Sequence, residues 1–351
     1  MHRFWDTFLY PILCTLRPQT IVEIGADRGD NTKCILQFCR DYGARCHIID
    51  PLGVGNRAEI AELLAQHGTL HEQRSLEVLP SLPPADVYLI DGDHNWYTVY
   101  HELRTIAAAA RQARRTYLPL LLLHDIFWPY GRRDLYYDPS SIPEAFRQPY
   151  ARGGMLPGHA PLLPAGGLNP HLEHALQEGG PRNGVLTAVE DFLAEEQADW
   201  EWLTVPGIHG LGLLLPRQGL PAEVRSAIAH LFDLPDHVRR HVERLEADWN
   251  AAHTYACSLR VETERLTEQV CRLQGVEAAL HAARQAAAEA QARVAEQQAR
   301  IRELEHQLHW ITSAHSYRAL RRLQRLKDMV VPPGSGRERA VVAVLDVFWP
   351  T

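Results

Sequence analysis

Two acids and a histidine close the apolar run of Val87-Tyr88-Leu89-Ile90-Asp91-Gly92-Asp93-His94-Asn95-Trp96-Tyr97, and a His124-Asp125 pair closes another, Pro119-Leu120-Leu121-Leu122-Leu123. Apolar runs this short and continuous read as strands buried on both faces. In a parallel sheet, ligands gather beyond the carboxyl ends of the strands. Asp91 and Asp125, at the ends of adjacent predicted strands, can therefore point into one site. Two hard oxygen ligands there suit Mg²⁺, or another divalent ion, completed by water and substrate oxygens. The alternative has Asp91 and Asp93 capping the following helix, with His94 a solvated neighbour. Asp93 itself is assigned to capping.

A second motif, Val22-Glu23-Ile24-Gly25-Ala26-Asp27-Arg28-Gly29-Asp30-Asn31-Thr32, follows a strand and opens a helix. Gly25 and Gly29 let the backbone turn tightly and approach a ligand, and the helix N-terminus adds a positive dipole end. Such a turn alone is shared by dehydrogenases and methyltransferases. Glu23 inside the strand end, and Asp27 in the place of a middle glycine, suit a cationic or amino-bearing ligand better than a pyrophosphate. Asp50 ends the next strand, where a carboxylate can take both ribose hydroxyls. It would serve NAD equally well and does not discriminate.

The elements that must position these residues alternate along the first two thirds of the chain. Strands are expected at 20–24, 46–50, 87–91 and 119–125, with a weaker one at 71–75, and helices at 31–42, 56–67, 97–114 and 185–198. The runs 201–205 and 210–215 read as a closing strand pair. This order predicts a doubly wound, Rossmann-like α/β sheet that ends in an antiparallel pair, over residues 1–233. Residues 126–184, dense in Pro, Gly, Arg and Tyr, read as a lid or substrate-binding insertion. From 234 to 312, Leu245, Ala252, Leu259, Leu266, Leu273, Leu280, Ala287, Val294, Ile301 and Leu308 recur every seventh residue, which predicts a coiled coil and a homo-oligomer. Its register shifts near Gly275, where a stutter is expected. A helical hairpin folded onto the first domain is the alternative. Residues 313–351 form a basic amphipathic helix and a tail. That helix suits an anionic membrane surface or an acidic partner, such as a glycan-assembly protein, or is a solvated bundle end.

Composition narrows the field. The 351-residue chain carries a formal charge of -7, which does not favour a nucleic-acid partner. Its six cysteines show no zinc spacing and fit reduced thiols. The opening residues read as a first helix and not as a signal peptide, and no stretch reaches the roughly 18 apolar residues of a membrane span, so a cytoplasmic protein is expected.

Taken in order, VEIGADRGDNT, IIDP, SLEVLP, VYLIDGDHNWY and LLLLHDI resemble class I S-adenosylmethionine-dependent methyltransferases. Within that class they are most similar to the branch of metal-dependent sugar and macrolide O-methyltransferases and cephalosporin hydroxylase-like proteins, the Methyltransferase 24 type. The resemblance covers residues 18–126, and DGDH-x-x-Y and the HD pair are its most specific pieces. It departs from the family at Leu118-Pro119, where a Gly-Gly turn is common. The resemblance implies that Glu23, Gly25, Asp27 and Gly29 line the methionine and ribose part of S-adenosylmethionine, and that Asp50 holds the ribose. Ser75 would lie near the adenine, unless it is a strand-end turn. Asp91 and Asp125 match the family's metal ligands, His124 falls where relatives often have an acid and is a third candidate ligand, and His94 matches the general base. A metal lowers the pKa of a sugar hydroxyl and an imidazole removes its proton, so the set suits O-methylation of a sugar, glycan or glycosylated small molecule. Trp128–Tyr137 and Glu178–Gly184 are expected to meet the acceptor, the alternatives being a packed lid and an Asn183 cap. Two other readings stand beside this one: a non-catalytic methyltransferase-like scaffold that assembles partners through the coiled coil, and a dehydrogenase. A peripheral position at the inner membrane face, through the basic helix, completes the expectations.

Overall fold

A computed structural model describes residues 1–196 and 199–340, in two compact units, Met1–Arg265 and Leu266–Thr351. In the first unit, α1 (Tyr10–Leu16) precedes β1 (Thr20–Ile24), followed by α2 (Asp30–Tyr42), β2 (Arg45–Ile49), α3 (Arg57–His67), β3 (Gly68–His71), α4 (Ser75–Val78), β4 (Val87–Ile90), α5 (Trp96–Gln112) and β5 (Leu120–His124). The insertion holds β6 (Leu135–Tyr136), β7 (Tyr150–Arg152), β8 (Gly154–Leu156), β9 (His159–Leu163) and β10 (Glu173–Ala175). Then come α6 (Val185–Glu196), β11 (Trp200–Val205), β12 (Leu211–Pro216), α7 (Ala222–His230) and α8 (Asp236–Ser313).

The sheet runs β11-β12-β5-β4-β1-β2-β3, parallel from β5 to β3, with β12 antiparallel to both β5 and β11. The chain winds outward from β1 to β3, then returns to lay β4 on the other side of β1. The switch point thus falls between the carboxyl ends of β1 and β4, where a crevice must open. Alternate residues feed two cores. Val22, Ile24, Tyr88, Ile90, Leu121 and Leu123 face α5 and α6, while Ile21, Val87, Leu89, Leu120 and Leu122 face α1, α2 and α7. The edge strand lies at Gly68–His71, before the expected 71–75, because Ser75 begins a helical turn. Gln197 and Ala198 of the expected helix 185–198 and the tail beyond residue 340 lie outside the described residues.

The insertion is anchored by polar groups. The Arg133 guanidinium is buried and donates to the carbonyls of Ala175 and Ala160. Buried Asp134 accepts from Trp96 N at 2.8 Å, Gly184 N at 2.6 Å and the Tyr136 hydroxyl at 2.7 Å, which ties the insertion to the start of α5 and of α6. The cap of α5 is Asn95, whose Oδ1 accepts from Thr98 N at 2.8 Å. Asp93, the expected cap, accepts from the Thr98 hydroxyl at 2.9 Å instead.

The sequence reading starts the coiled coil at residue 234, but the first unit extends to Arg265. Asn250 and Thr254 of α8 are buried, and Ser258 Oγ accepts from Gly167 N at 2.8 Å. In the second unit α8 runs unbroken through Gly275 and is separated from α9 (His315–Val330) by an extended Ala314. Among the described residues, no helix is long and apolar enough to cross a membrane.

Candidate active site

The crevice is built by the backbone. Gly25 N donates to Ile49 O and Asp91 N to Ile24 O, so the ends of β1, β2 and β4 close on one another. Gly25 has φ +88°, and a Cβ there would collide with the Asp91 carbonyl and Gly92. Gly29, at φ +84°, faces the side chains of Asn56 and Val54 in the same way. Both glycines are therefore required by the chain's own packing, whereas the sequence suggested approach to a ligand. Asp50 holds the loop between them: its Oδ2 accepts from Ala26 N at 2.9 Å and Asp27 N at 3.3 Å, and its Oδ1 from Leu52 N at 2.9 Å. Glu23 is buried, with Asn31 Nδ2 at 2.8 Å and the Thr32 hydroxyl at 2.6 Å on its two oxygens. Burial pushes its carboxyl up to about 7 despite those two donors.

Across the crevice, Asp91, His124 and Asp125 present three ligand atoms within 4.8 Å of one another. His124 Nδ1 lies 3.0 Å from Asp91 Oδ1 and 3.1 Å from Asp125 Oδ2. The other ring nitrogen, Nε2, is 2.9 Å from Ile208 O. A carbonyl can only accept, so Nε2 carries a proton and Nδ1 is the nitrogen turned to the two carboxylates, a donor to Asp91 when protonated and a ligand atom when not, the arrangement by which metal-binding imidazoles are oriented. Three acceptors at this spacing repel unless positive charge lies between them, either a proton on Nδ1 or a cation. Burial alone would lower His124, but Asp125 and Asp91 outweigh it and raise the imidazole to about 10. Burial would raise Asp125, yet His124 and His94 hold it far below the usual carboxylate range. Asp125 also takes a left-handed backbone, φ +56°, a strained position of the kind that gathers at functional sites. The Met1 amino group donates to the remaining oxygen of Asp91.

Buried His94 places Nε2 2.7 Å from Asp125 Oδ2 and 3.6 Å from Asp91 Oδ1, with neither ring nitrogen oriented for a hydrogen bond. Burial opposes its charge, but Asp125 and Asp91 raise it to about 10. The donor set and the unsatisfied imidazole thus fit a divalent cation, which would compete for the charge of the same carboxylates and return His94 toward its neutral form.

A cavity of about 440 Å³ joins the two sides, within the range of small-molecule sites. Glu23, Gly25, Asp27, Asp91 and His124 line it. Gly29, Asp50, His94 and Asp125 stand outside the lining and support it from behind. Ser75 is elsewhere: it is buried with its hydroxyl donating to Glu102. Of the two expected acceptor segments, only Pro129 and Tyr130 reach the cavity. Asn183 is buried and bonded to Asp134 N, Gln177 O and Gly179 O, and Arg182 lies over the rings of Trp96 and Phe146. Among the lining residues that the sequence reading did not single out are Ile208 and His209 from the β11–β12 turn, and Trp249 and His253 from α8. For the turn a signal was legible in Gly207-Ile208-His209-Gly210, two glycines bracketing a histidine beside the closing strand pair.

Residues 22–126 match the family model of a methyltransferase domain, and that segment carries Glu23, Gly25, Asp50, Asp91, His94, His124 and Asp125. Residues 22–126 of the chain thus carry a methyltransferase domain. Among solved structures it is similar to an SAH-bound methyltransferase of Podospora anserina, at 16% identity over 60% of this chain and 77% of that one, with a TM-score of 0.37. It is also similar to an O-methyltransferase of Bacillus cereus in complex with SAH, at 12% identity over 61% and 81%, with a TM-score of 0.36. Likenesses this distant carry no argument for substrate. No curated protein matches the chain. In this methyltransferase domain the loop from Glu23 to Asn31 forms one end of the cavity, and the Asp91–His124 pair forms the other.

Proposed function

We propose that the domain methylates a hydroxyl oxygen of a sugar, glycan or glycosylated small molecule, with a divalent cation, Mg²⁺ by donor chemistry, held by Asp91, Asp125 and His124. The observation that carries this reading is the set of three facing acceptor atoms, of which Asp91 and His124 line the cavity that also holds the Glu23 loop and Asp125 stands just behind them. S-Adenosylmethionine would supply a methyl already activated on sulfonium, and the cation would lower the pKa of the acceptor hydroxyl.

The chain's own residues divide the remaining work. Glu23 offers a carboxylate to the amino-bearing end of the methyl donor. Asp50 keeps the loop from Gly25 to Gly29 in shape, so that its backbone can face the ribose. His94, just outside the cavity lining with Nε2 2.7 Å from Asp125 Oδ2, is the remaining imidazole and the candidate to take the hydroxyl proton once an acceptor is seated. Tyr130, His209 and Trp249 line the cavity, and aromatic rings there suit packing against a sugar ring and the exclusion of water. In the second unit, Leu266, Leu273, Leu280, Val294, Ile301 and Leu308 stand exposed at seven-residue spacings or multiples of them. That pattern supports self-association of α8 as a coiled coil.

The test is methyl transfer from labelled S-adenosylmethionine over a panel of glycans and nucleotide sugars. Activity is expected to be lost with EDTA and restored by Mg²⁺ or Mn²⁺. Asp91→Ala and Asp125→Ala are expected to lose transfer while still binding S-adenosylhomocysteine. Full activity in EDTA would remove the cation, and donor binding without transfer to any acceptor would favour a non-catalytic scaffold.

A further inference from the structure

Glu246, ten residues into α8, reaches the turn between β11 and β12. Its Oε2 accepts from Gly207 N at 2.9 Å and its Oε1 from His209 N at 2.5 Å. The residue between those two amides, Ile208, is the one whose carbonyl accepts from His124 Nε2. Ile208 has φ +51° and His209 φ +67°, and a β-branched residue in the left-handed region is a true outlier. Such a conformation persists only where its surroundings over-determine it. Here Glu246 grips both flanking amides, while His209 Nδ1 donates to Trp128 O at 2.8 Å and Phe127 N to His209 O at 2.9 Å.

We propose that Glu246 is a positioning residue for the cation site: it holds the Ile208 carbonyl where it orients the His124 ring, and so makes the start of α8 part of the active site. This rests on the reading that Asp91, His124 and Asp125 hold a divalent cation. The same stretch of helix supplies Trp249, whose ring lies 5.8 Å from His209 and 5.0 Å from His253. Without the carboxylate, the turn relaxes toward ordinary φ values, the Ile208 carbonyl swings away, and His124 loses the partner that keeps Nδ1 on the ligand side. The catalytic domain then has a recognition of its own for this helix, beyond any role of α8 in assembly.

The experiment measures Mn²⁺ binding to the full-length chain by the electron paramagnetic resonance of free Mn²⁺, for wild type, Glu246→Ala, Glu246→Gln and Asp91→Ala. Loss of such an outer partner weakens a metal by about 10- to 100-fold, so Glu246→Ala is expected to bind at least about tenfold more weakly. Glu246→Gln, which keeps one acceptor oxygen, is expected to fall between. Affinity for S-adenosylhomocysteine stays unchanged in both, which a general loosening of the fold would not allow. If wild type binds Mn²⁺ through Asp91 and the Glu246 variants bind it equally well, the positioning role is overturned and the cation site stands. If wild type shows no Asp91-dependent binding, the cation reading falls and this inference with it. Should Glu246→Ala fail to fold, Glu246→Gln decides between the same outcomes.

Discussion

Glu23 makes the donor pocket a pH-dependent site. Its carboxyl is buried and raised to about 7, with Asn31 and Thr32 as its hydrogen-bond donors among the described residues. An amino-bearing ligand needs that carboxylate charged. With a pKa near 7, the ionised fraction climbs from roughly 3% at pH 5.5 to roughly 75% at pH 7.5, a change of about 25-fold, or about 1.9 kcal/mol. The ligand's amine stays largely protonated over that window, since an α-amino group titrates near 8. Titration calorimetry of S-adenosylhomocysteine should therefore show affinity rising about 25-fold between those two pH values, with release of a proton at the lower one. Glu23→Gln should bind weakly at both and lose the slope. For the free protein the sign is opposite: a carboxyl raised in the fold contributes most below its unfolded value of about 4.5, and this is lost as pH rises toward 7. An affinity for wild type that is flat from pH 5.5 to 7.5 would refute the assignment of Glu23 to the ligand's amine.

Glu102 tests the core beneath the site. It is buried, accepts from Ser75, leaves Oε2 without a partner and is raised to about 8, by burial first and then by Asp93, against the opposing effects of Ser75 and His94. Wild type should lose stability from about pH 4.5 to 8. Glu102→Gln, which cannot ionise, should gain on it by up to roughly 5 kcal/mol at pH 9, from about 3.5 pH units at about 1.36 kcal/mol each. Thermal melts at pH 5 and 9 read the difference, and equal melting shifts at both would sink it. A chain ending at Arg265 should keep S-adenosylhomocysteine binding and become monomeric by light scattering, whereas one ending at residue 235 should lose Mn²⁺ affinity because it lacks Glu246. An unchanged oligomeric state after removal of residues 266–351 would exclude the exposed heptad ladder as the assembly element.

Much of this was legible in the residues because it is local. Continuous apolar runs marked the central strands to within a residue or two, and the alternation with helices implied a parallel sheet with its ligand at the strand ends. Asp91, His124 and Asp125 were legible because strand-end residues share a direction. Ser75 was misplaced because a Ser after a short strand reads equally as ligand contact and as the start of a helical turn. For the two loops the residues left acceptor contact and a packed lid both open, since Arg133, Asp134 and Asn183 look like surface chemistry in a list of residue types. In the fold they satisfy buried backbone groups, which no composition reveals.

The sequence by itself determined the class of fold, the strand carrying each acid and the seven-residue ladder of α8, because these follow from periodicity and from which residue types tolerate burial. Tertiary structure decided which side chains meet. That Gly25 is a glycine because of the Asp91 carbonyl, that His124 is oriented by a carbonyl 84 residues away, and that α8 reaches back to grip that turn, depend on contacts between segments far apart in the chain. No local pattern encodes them, since the energy of each lies in the fit of two surfaces that only folding brings together.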